Sequence, residues 1–406
     1  MSFIYQNVNH FVVKRFTNRY KTTLCCIAPS LSKMNSSLTI DANLFVSYSH
    51  LHSYLSTYPH IKNPHYHASL VWSHIRRGIN PLQSKTLSNS LQKVLVNYLN
   101  AQHTKKYTTI QDIIVSNKDS TIKLLIQLHD HLSIETVIMP NSSSTTVCVS
   151  TQVGCDRKCV FCATGFMGLI RNVDTEELAS QIYFSRVITN LYGLPNVNRI
   201  VLMGMGDALC TIQHVKRCIL EMIVNPHGFQ IGKRKVTVSS VAPNPNSIRN
   251  AVESIPVLFG WSLHSVDDEL RKVLVPSYHY SERNNVILLR NAFIESLKIR
   301  KCRQDRILRI AITLLDGMND SEHDALNTVQ FLRPFAENGI DICVDLIQYN
   351  SIQHSGLQYV LQKSPKYKMD HFQKILLDHN IVCFLRLPKG DDQNAACGQL
   401  STGSFS

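Results

Sequence analysis

Past residue 107 the apolar positions fall into short runs, and the polar spacing between the runs decides which element each one predicts. TIKLLIQL (121–128) and SIETVIMP (133–140) have the length and β-branched content of strands, with the polar turn His129-Asp130-His131 between them. Apolar runs at 146–150, 199–203 (RIVLM), 235–239 (KVTVS), 257–263 (VLFGWSL), 307–315 (ILRIAITLL), 341–347 (DICVDLI) and 381–386 (IVCFLR) have the length of buried strands. Between them the pattern turns helical. The segment 174–192 opens on Asp174 with Glu177 three residues on, and 321–338 opens on Ser321 with Asp324, the spacing of capped helices. Such alternation predicts an α/β fold whose parallel sheet is covered by helices, either open or curved into a full or partial barrel, with chemistry at the carboxyl ends of the strands. Upstream, HASLVWSHIRRG (67–78) and LSNSLQKVLVNYL (87–99) space apolar residues three and four apart, predicting a small helical domain. The division expected is a leader at 1–43, a helical accessory domain at 44–105, a linking β segment at 106–145 and a core at 146–406.

Composition narrows the class. A chain of 406 residues with 44% hydrophobic residues is long enough for a sizeable core. With 42 basic and 29 acidic residues the net charge is +13, which suits a polyanionic partner such as RNA, DNA or an anionic membrane. Lys14, Arg15, Arg19, Lys21 and Lys33 are the only charged residues in the first forty, so the remainder keeps +8. That basic, Ser- and Thr-rich start without an acid before Asp41 has the composition of a transit segment, pointing to a plastid, apicoplast or mitochondrion; otherwise the cytoplasm is expected. No unbroken apolar run of about 18 residues exists, so a transmembrane helix is not expected.

The twelve cysteines are unevenly spaced, three of them within eight residues, which argues for thiols in a reducing compartment rather than a disulfide framework. Cys155, Cys159 and Cys162 form CxxxCxxC just after the run at 146–150, three ligands that hold one inorganic cluster and leave one metal position open; the alternative is a zinc knuckle with a distant fourth ligand. The turn GMGDA (204–208) follows RIVLM, where glycine backbone comes close to a ligand and Asp207 is placed to accept from an ammonium. Near the end, Cys397 lies in GDDQNAACGQL between small residues that leave room for a substituent on sulfur. Cys25, Cys26, Cys210, Cys218, Cys302, Cys343 and Cys383 read as small apolar or incidental residues.

CxxxCxxC with Phe161 before its last cysteine resembles the signature of radical S-adenosylmethionine enzymes. In order along the chain, IETVIMP, CVSTQVGC, TGFMGLIRN, GMGDA, KVTVSS, WSLHS, LLDGMND and GDDQNAACGQL extend that resemblance, from about Leu70 to Leu400, to the RlmN/Cfr family of RNA adenosine methyltransferases. The resemblance implies a partial (β/α)6 barrel behind a helical accessory domain. It implies a [4Fe-4S] cluster on Cys155, Cys159 and Cys162, and two equivalents of S-adenosylmethionine per turnover. Cys397 is then the methyl carrier, Cys148 the thiol that releases product by forming a disulfide with it, and Glu135 the proton acceptor. Gly206, Asp207, Ser239, Ser262, Leu263, His264 and Asn350 are the implied cofactor contacts. The implied partners are ribosomal RNA, transfer RNA as a second substrate, and a flavodoxin- or ferredoxin-type electron donor; the oligomeric state is left open, with a monomer favoured. Methylation at carbon 8 of adenine, or an RNA-binding paralogue without catalysis, are the alternatives. The chain departs from the family's pattern in having Asp207-Ala208 for Glu-Pro, Ser240-Val241-Ala242 for Thr-Ser-Gly, IQYN before the retained Asn350 for a Pro-Trp-Asn run, and no basic tail in the nine residues after Cys397.

Overall fold

The computed structural model describes residues 38–102, 105–279, 281–352 and 361–402. Most of the expected leader, with Cys25 and Cys26, lies outside the described residues. Its last part belongs to the fold instead. β1 (Thr39–Asp41) pairs antiparallel with β2 (Tyr107–Val115), and Ile40 and Ala42 are buried. A three-residue strand carries no periodicity, so only the tertiary pairing reveals it.

Three helices follow β1: α1 (Tyr48–Ser56), α2 (Pro64–Arg76) and α3 (Asn89–Asn100), each capped by the Ser or Asn side chain before it. β2, β3 (Ile122–Gln127) and β4 (Ser133–Pro140) form an antiparallel meander that continues onto β5 (Thr145–Cys148). The meander is therefore part of the main sheet rather than a separate linking segment. A small hairpin of β6 (Gln152–Cys155) and β7 (Gly168–Asn172) encloses the short helix α4 (Ala163–Phe166).

The rest alternates. α5 (Thr175–Leu191) leads to β8 (Val197–Leu202), α6 (Ile212–Cys218) to β9 (Val236–Ser240), and α7 (Pro245–Ser254) to β10 (Leu258–Ser262). α8 (Asp268–Leu274) and α9 (Val286–Lys298) precede β11 (Ile307–Leu314), α10 (Glu322–Glu337) precedes β12 (Asp341–Gln348), and α11 (Lys366–Asp378) precedes β13 (Val382–Arg386). Asp174–Glu177 and Ser321–Asp324 form reciprocal capping boxes at the starts of α5 and α10.

All strands but β6 and β7 join one eleven-stranded sheet in the order β1-β2-β3-β4-β5-β8-β9-β10-β11-β12-β13. From β5 onward every pair is parallel. Six of these strands match the implied barrel, and β13 adds a seventh at the open edge.

Side chains alternate faces along a strand and directly paired residues share a face, so the strand register sorts the sheet into two sides. Val147, Ile200, Val238, Trp261, Ile310 and Val344 lie on the helix-covered side and are fully buried. The opposite, inner side runs from Glu135 through Cys148, Ser239 and Ser262 to Asp345 and Phe384. The helical unit docks on the outer side, where Trp72 meets Phe229 edge-on at 5.5 Å and Arg76 Nε donates to the Gly228 carbonyl at 2.8 Å.

Candidate active site

The cysteine loop is held inside the β6–β7 hairpin. Cys155 ends β6 and Cys162 precedes α4, so the three thiols share one rigid bracket. The hairpin closes on Gly154, with φ +77°, where an added Cβ would stand 1.8 Å from the Gly168 carbonyl oxygen. The Arg157 N–H donates to Cys155 Sγ at 3.4 Å. Burial raises all three thiols above their ordinary value; for Cys159 the neighbouring thiols add to the rise, and for Cys162 the Gly165 and Thr164 groups oppose it. Left bare they stay protonated, and a metal centre's positive charge is what makes ligands of buried thiols. Three cysteine ligands on one short loop are the donor set of a cluster that leaves one metal position open.

The GMGDA turn is stitched to the residues leading into the loop. Gly204 N donates to Val149 O (3.1 Å), Thr151 N to Met205 O (2.8 Å) and Met205 N to Ser150 Oγ (2.9 Å). Gly206, at φ +94°, lies so close to Gln152 that an added Cβ would stand 2.5 Å from its Cβ. Asp207 is buried and its carboxylate is already engaged: Leu209 N donates to Oδ1 (2.9 Å), while Ser240 Oγ (2.8 Å) and Val241 N (2.9 Å) donate to Oδ2. Burial raises its pKa and these donors oppose the rise. The Cys210 thiol also hydrogen-bonds to this carboxylate, so its roughly four acceptor positions are filled within the protein.

Ser239, next to last in β9, and Ser262, the last residue of β10, lie on the inner side, and Leu263 and His264 continue from β10. His264 takes a left-handed conformation (φ +59°) and packs its ring against Phe161, 4.5 Å between centroids. Its Nδ1 accepts from Thr313 N at 3.2 Å, which fixes the proton on Nε2; burial, with the Arg271 charge, lowers its pKa to about 3. Arg271 on α8 is fully buried beneath these strand ends and donates to the carbonyls of Ser262, Leu263 and Val241. Asn350, after β12, donates from Nδ2 to the Cys397 carbonyl at 3.0 Å, while its buried Oδ1 has no partner among the described residues. An orphaned buried acceptor beside a cysteine loop with an open metal position fits a polar cofactor seated there.

The segment carrying Cys397 is pinned from several sides. Ala163 N donates to Gly398 O (2.7 Å) and Thr164 Oγ1 to Leu400 O (2.6 Å), which sets the segment over the cysteine loop. From the β2–β3 connection, Ser116 Oγ (2.8 Å) and Asn117 N (3.2 Å) donate to Asp392. Cys397 is exposed at the mouth, yet walls crowd its sulfur enough to push it up to about 11, with Cys162 contributing. Cys148, buried at the end of β5, is pushed up to about 12 by burial and by the nearby Cys397. Glu135 is buried and accepts from Lys123 Nζ (2.9 Å) and Ser401 N (2.9 Å); burial raises its pKa against the pull of Lys123.

The structure thus brings the cysteine loop, Cys148, Cys397, Asp207, His264 and Asn350 to one mouth, with Glu135 at its β4 wall. Sequence reasoning missed Lys123, Asp392 and Arg271. Lys123 alternates into the same face as Glu135 once β3 and β4 are paired, a signal present in TIKLLIQL; Asp392 acts through Ser116 and Asn117, far off in sequence, and Arg271 through backbone carbonyls that only the folded strand ends bring to it. A surface cleft lined by Lys233, Arg300 and Asp305 lies at the opposite, amino ends of β9 and β11.

No family model matches the chain. Curated relatives do. The probable dual-specificity RNA methyltransferase RlmN of Chloroflexus aurantiacus is 34% identical over 297 residues, spanning 72% of this chain and 76% of its own. The dual-specificity RNA methyltransferases RlmN of Desulfotalea psychrophila and Wigglesworthia glossinidia brevipalpis are 35% and 30% identical, over 71% and 78% of this chain and 77% and 78% of theirs. Among solved structures, a radical SAM methyltransferase from Sphaerobacter thermophilus superposes with a TM-score of 0.75 at 28% identity, over 88% of this chain and 98% of that one.

Proposed function

The chain belongs to the RlmN family of radical S-adenosylmethionine RNA methyltransferases, and from that premise we propose that it methylates carbon 2 of an adenine in ribosomal RNA, and in transfer RNA, through a methylated cysteine. The observation that carries this reading is the position of Cys397. Hydrogen bonds from Ala163, Thr164 and Asn350 hold its segment over the cysteine loop, within electrostatic reach of both Cys162 and Cys148.

Cys155, Cys159 and Cys162 hold a [4Fe-4S] cluster, and Gly206, Asp207, Ser239, Ser262, Leu263, His264 and Asn350 seat S-adenosylmethionine against it. Together these groups supply, when bound, the methyl group and the carbon radical that abstracts hydrogen. Asn350 Oδ1 accepts from the cofactor's donors, Asp207 accepts in place of the Cys210 thiol, and His264 offers Nε2–H. Cys397 Sγ takes the methyl group and, after hydrogen abstraction, presents its carbon to the flipped adenine. The adduct that forms gives up one electron to a one-electron acceptor and its ring proton to Glu135; burial makes Glu135 a better base than an exposed carboxylate. Cys148, having lost its thiol proton, then bonds through Sγ to Cys397 Sγ as the carbon–sulfur bond breaks, and the released methylene carbon takes up a proton as the methylated base leaves. An external two-electron donor reduces the resulting disulfide, and a flavodoxin- or ferredoxin-type protein supplies the cluster's electron. The basic, acid-free first forty residues support delivery to an organelle.

The test uses anaerobically reconstituted protein and RNA deuterated at either carbon 2 or carbon 8 of adenine. Loss of the carbon-2 label in wild type is expected. Cys397→Ala should abolish transfer while keeping the cluster's visible absorbance, and Cys148→Ala should leave RNA covalently joined to protein on a denaturing gel. Loss of the carbon-8 label, or full turnover by Cys397→Ala, overturns the reading.

A further inference from the structure

The inner side of the sheet continues well past the residues that seat the cofactor. In register, Ser262 on β10 stands beside Ala311 on β11, Ala311 beside Asp345 on β12, and Asp345 beside Phe384 on β13. Three strand spacings separate Ser262 from Phe384, roughly 14 Å. β13 closes the order of the sheet, so the row ends at an open edge. At that edge Phe384 is 52% exposed, Val382 51% and Leu387 82%.

The charges along the row favour an anion. Asp345 is gripped by Arg309, with Nε at 3.0 Å and Nη2 at 2.7 Å, and also by Arg386 Nε at 2.8 Å. Two guanidinium groups against one carboxylate leave a net positive charge beside the Phe384 ring. The Arg386 side chain is itself half exposed and keeps donors free for a second acceptor. An exposed aromatic next to arginine, on a chain of net charge +13, has the makeup of a single-strand nucleic-acid platform, in which the ring stacks on a base and the guanidinium meets a phosphate.

We propose that the exposed inner face of β13, with Phe384 as stacking ring and Arg386 and Arg309 as phosphate contacts, binds the unpaired nucleotides flanking the target adenine. The inference rests on RNA being the substrate. The chain then runs from Arg386 through Gly390 to Cys397, so the platform and the methyl carrier belong to one segment and hold their spacing together.

The probe is a fluorescein-labelled single-stranded RNA of roughly ten nucleotides, with binding to the full chain followed by anisotropy across a range of KCl concentrations. Phe384→Ala should weaken binding roughly 5- to 100-fold, and Phe384→Trp should restore it. Arg386→Gln should weaken binding and flatten the log–log salt slope by about one. Wild-type affinity in Phe384→Ala and Arg386→Gln overturns the platform while the RNA reading stands. Loss of self-association in Phe384→Ala, seen by sedimentation with RNA affinity unchanged, also overturns it, assigning the face to a second copy. Failure of wild type to bind any RNA overturns the substrate reading and the platform with it.

Discussion

Glu135 carries two jobs on one carboxylate, and they are separable. As a base it needs its raised basicity. As a structural group it is the partner of Lys123, whose side chain is also almost wholly buried. Removing one member of a buried ion pair strands the other, at about 3–5 kcal/mol, whereas replacing both with apolar residues of similar volume is near neutral. Glu135→Gln should therefore lower stability by about 3 kcal/mol in urea unfolding, and Lys123→Met/Glu135→Leu should recover it. Neither variant should transfer methyl groups. If the double variant regained activity with stability, Glu135 would be structural only.

His264 makes a pH prediction with a definite sign. Folded, its pKa is held at about 3; unfolded, it binds a proton below about 6.5. Its contribution to stability is full above that pH and falls as pH drops toward the folded value, by about 1.4 kcal/mol per unit where the slope is steepest. His264→Asn tolerates the left-handed backbone and can still accept from Thr313 N. Its urea midpoint should fall less than that of wild type between pH 7 and pH 5.

At the scale of elements, the segment 390–400 is an irregular strap made rigid by others. Asp392 is clasped by the Ser116 and Asn117 donors, Lys123 Nζ reaches the Asn394 carbonyl at 3.3 Å, and α4 takes Leu400. A reacting carbon on Cys397 must meet both a radical source and a base, and a misplacement near 1 Å costs about a hundredfold in rate. Asp392→Ala removes the clasp farthest from the chemistry. It should raise amide hydrogen exchange over 390–400 and slow methyl transfer roughly 10- to 100-fold, with the cluster's absorbance unchanged. An unaltered rate would mean that α4 and Asn350 fix the strap unaided.

At the scale of the whole molecule, what could be read ahead of the structure was local. CxxxCxxC, GMGDA and the two capping boxes each sit within a few residues, and each forms where its spacing indicates. What was hidden depends on pairing across the sheet. Nothing in IETVIMP or CVSTQVGC says that Glu135 and Cys148 share a face with Phe384, because that follows from a register summed over strands that the chain visits far apart. The short strand at Thr39–Asp41 escaped for the same reason. Charge, by contrast, is additive and needs no fold. Since the first forty residues hold five of the basic groups and the remainder keeps +8, RNA affinity should belong to the body. Contacts to four or five phosphates give a log–log salt slope on the order of −3 for single strands. Replacing Lys14, Arg15, Arg19, Lys21 and Lys33 with glutamine should leave that slope unchanged in the anisotropy titration. A slope that collapses in this variant would move the RNA contacts off the sheet's open edge and onto the first forty residues.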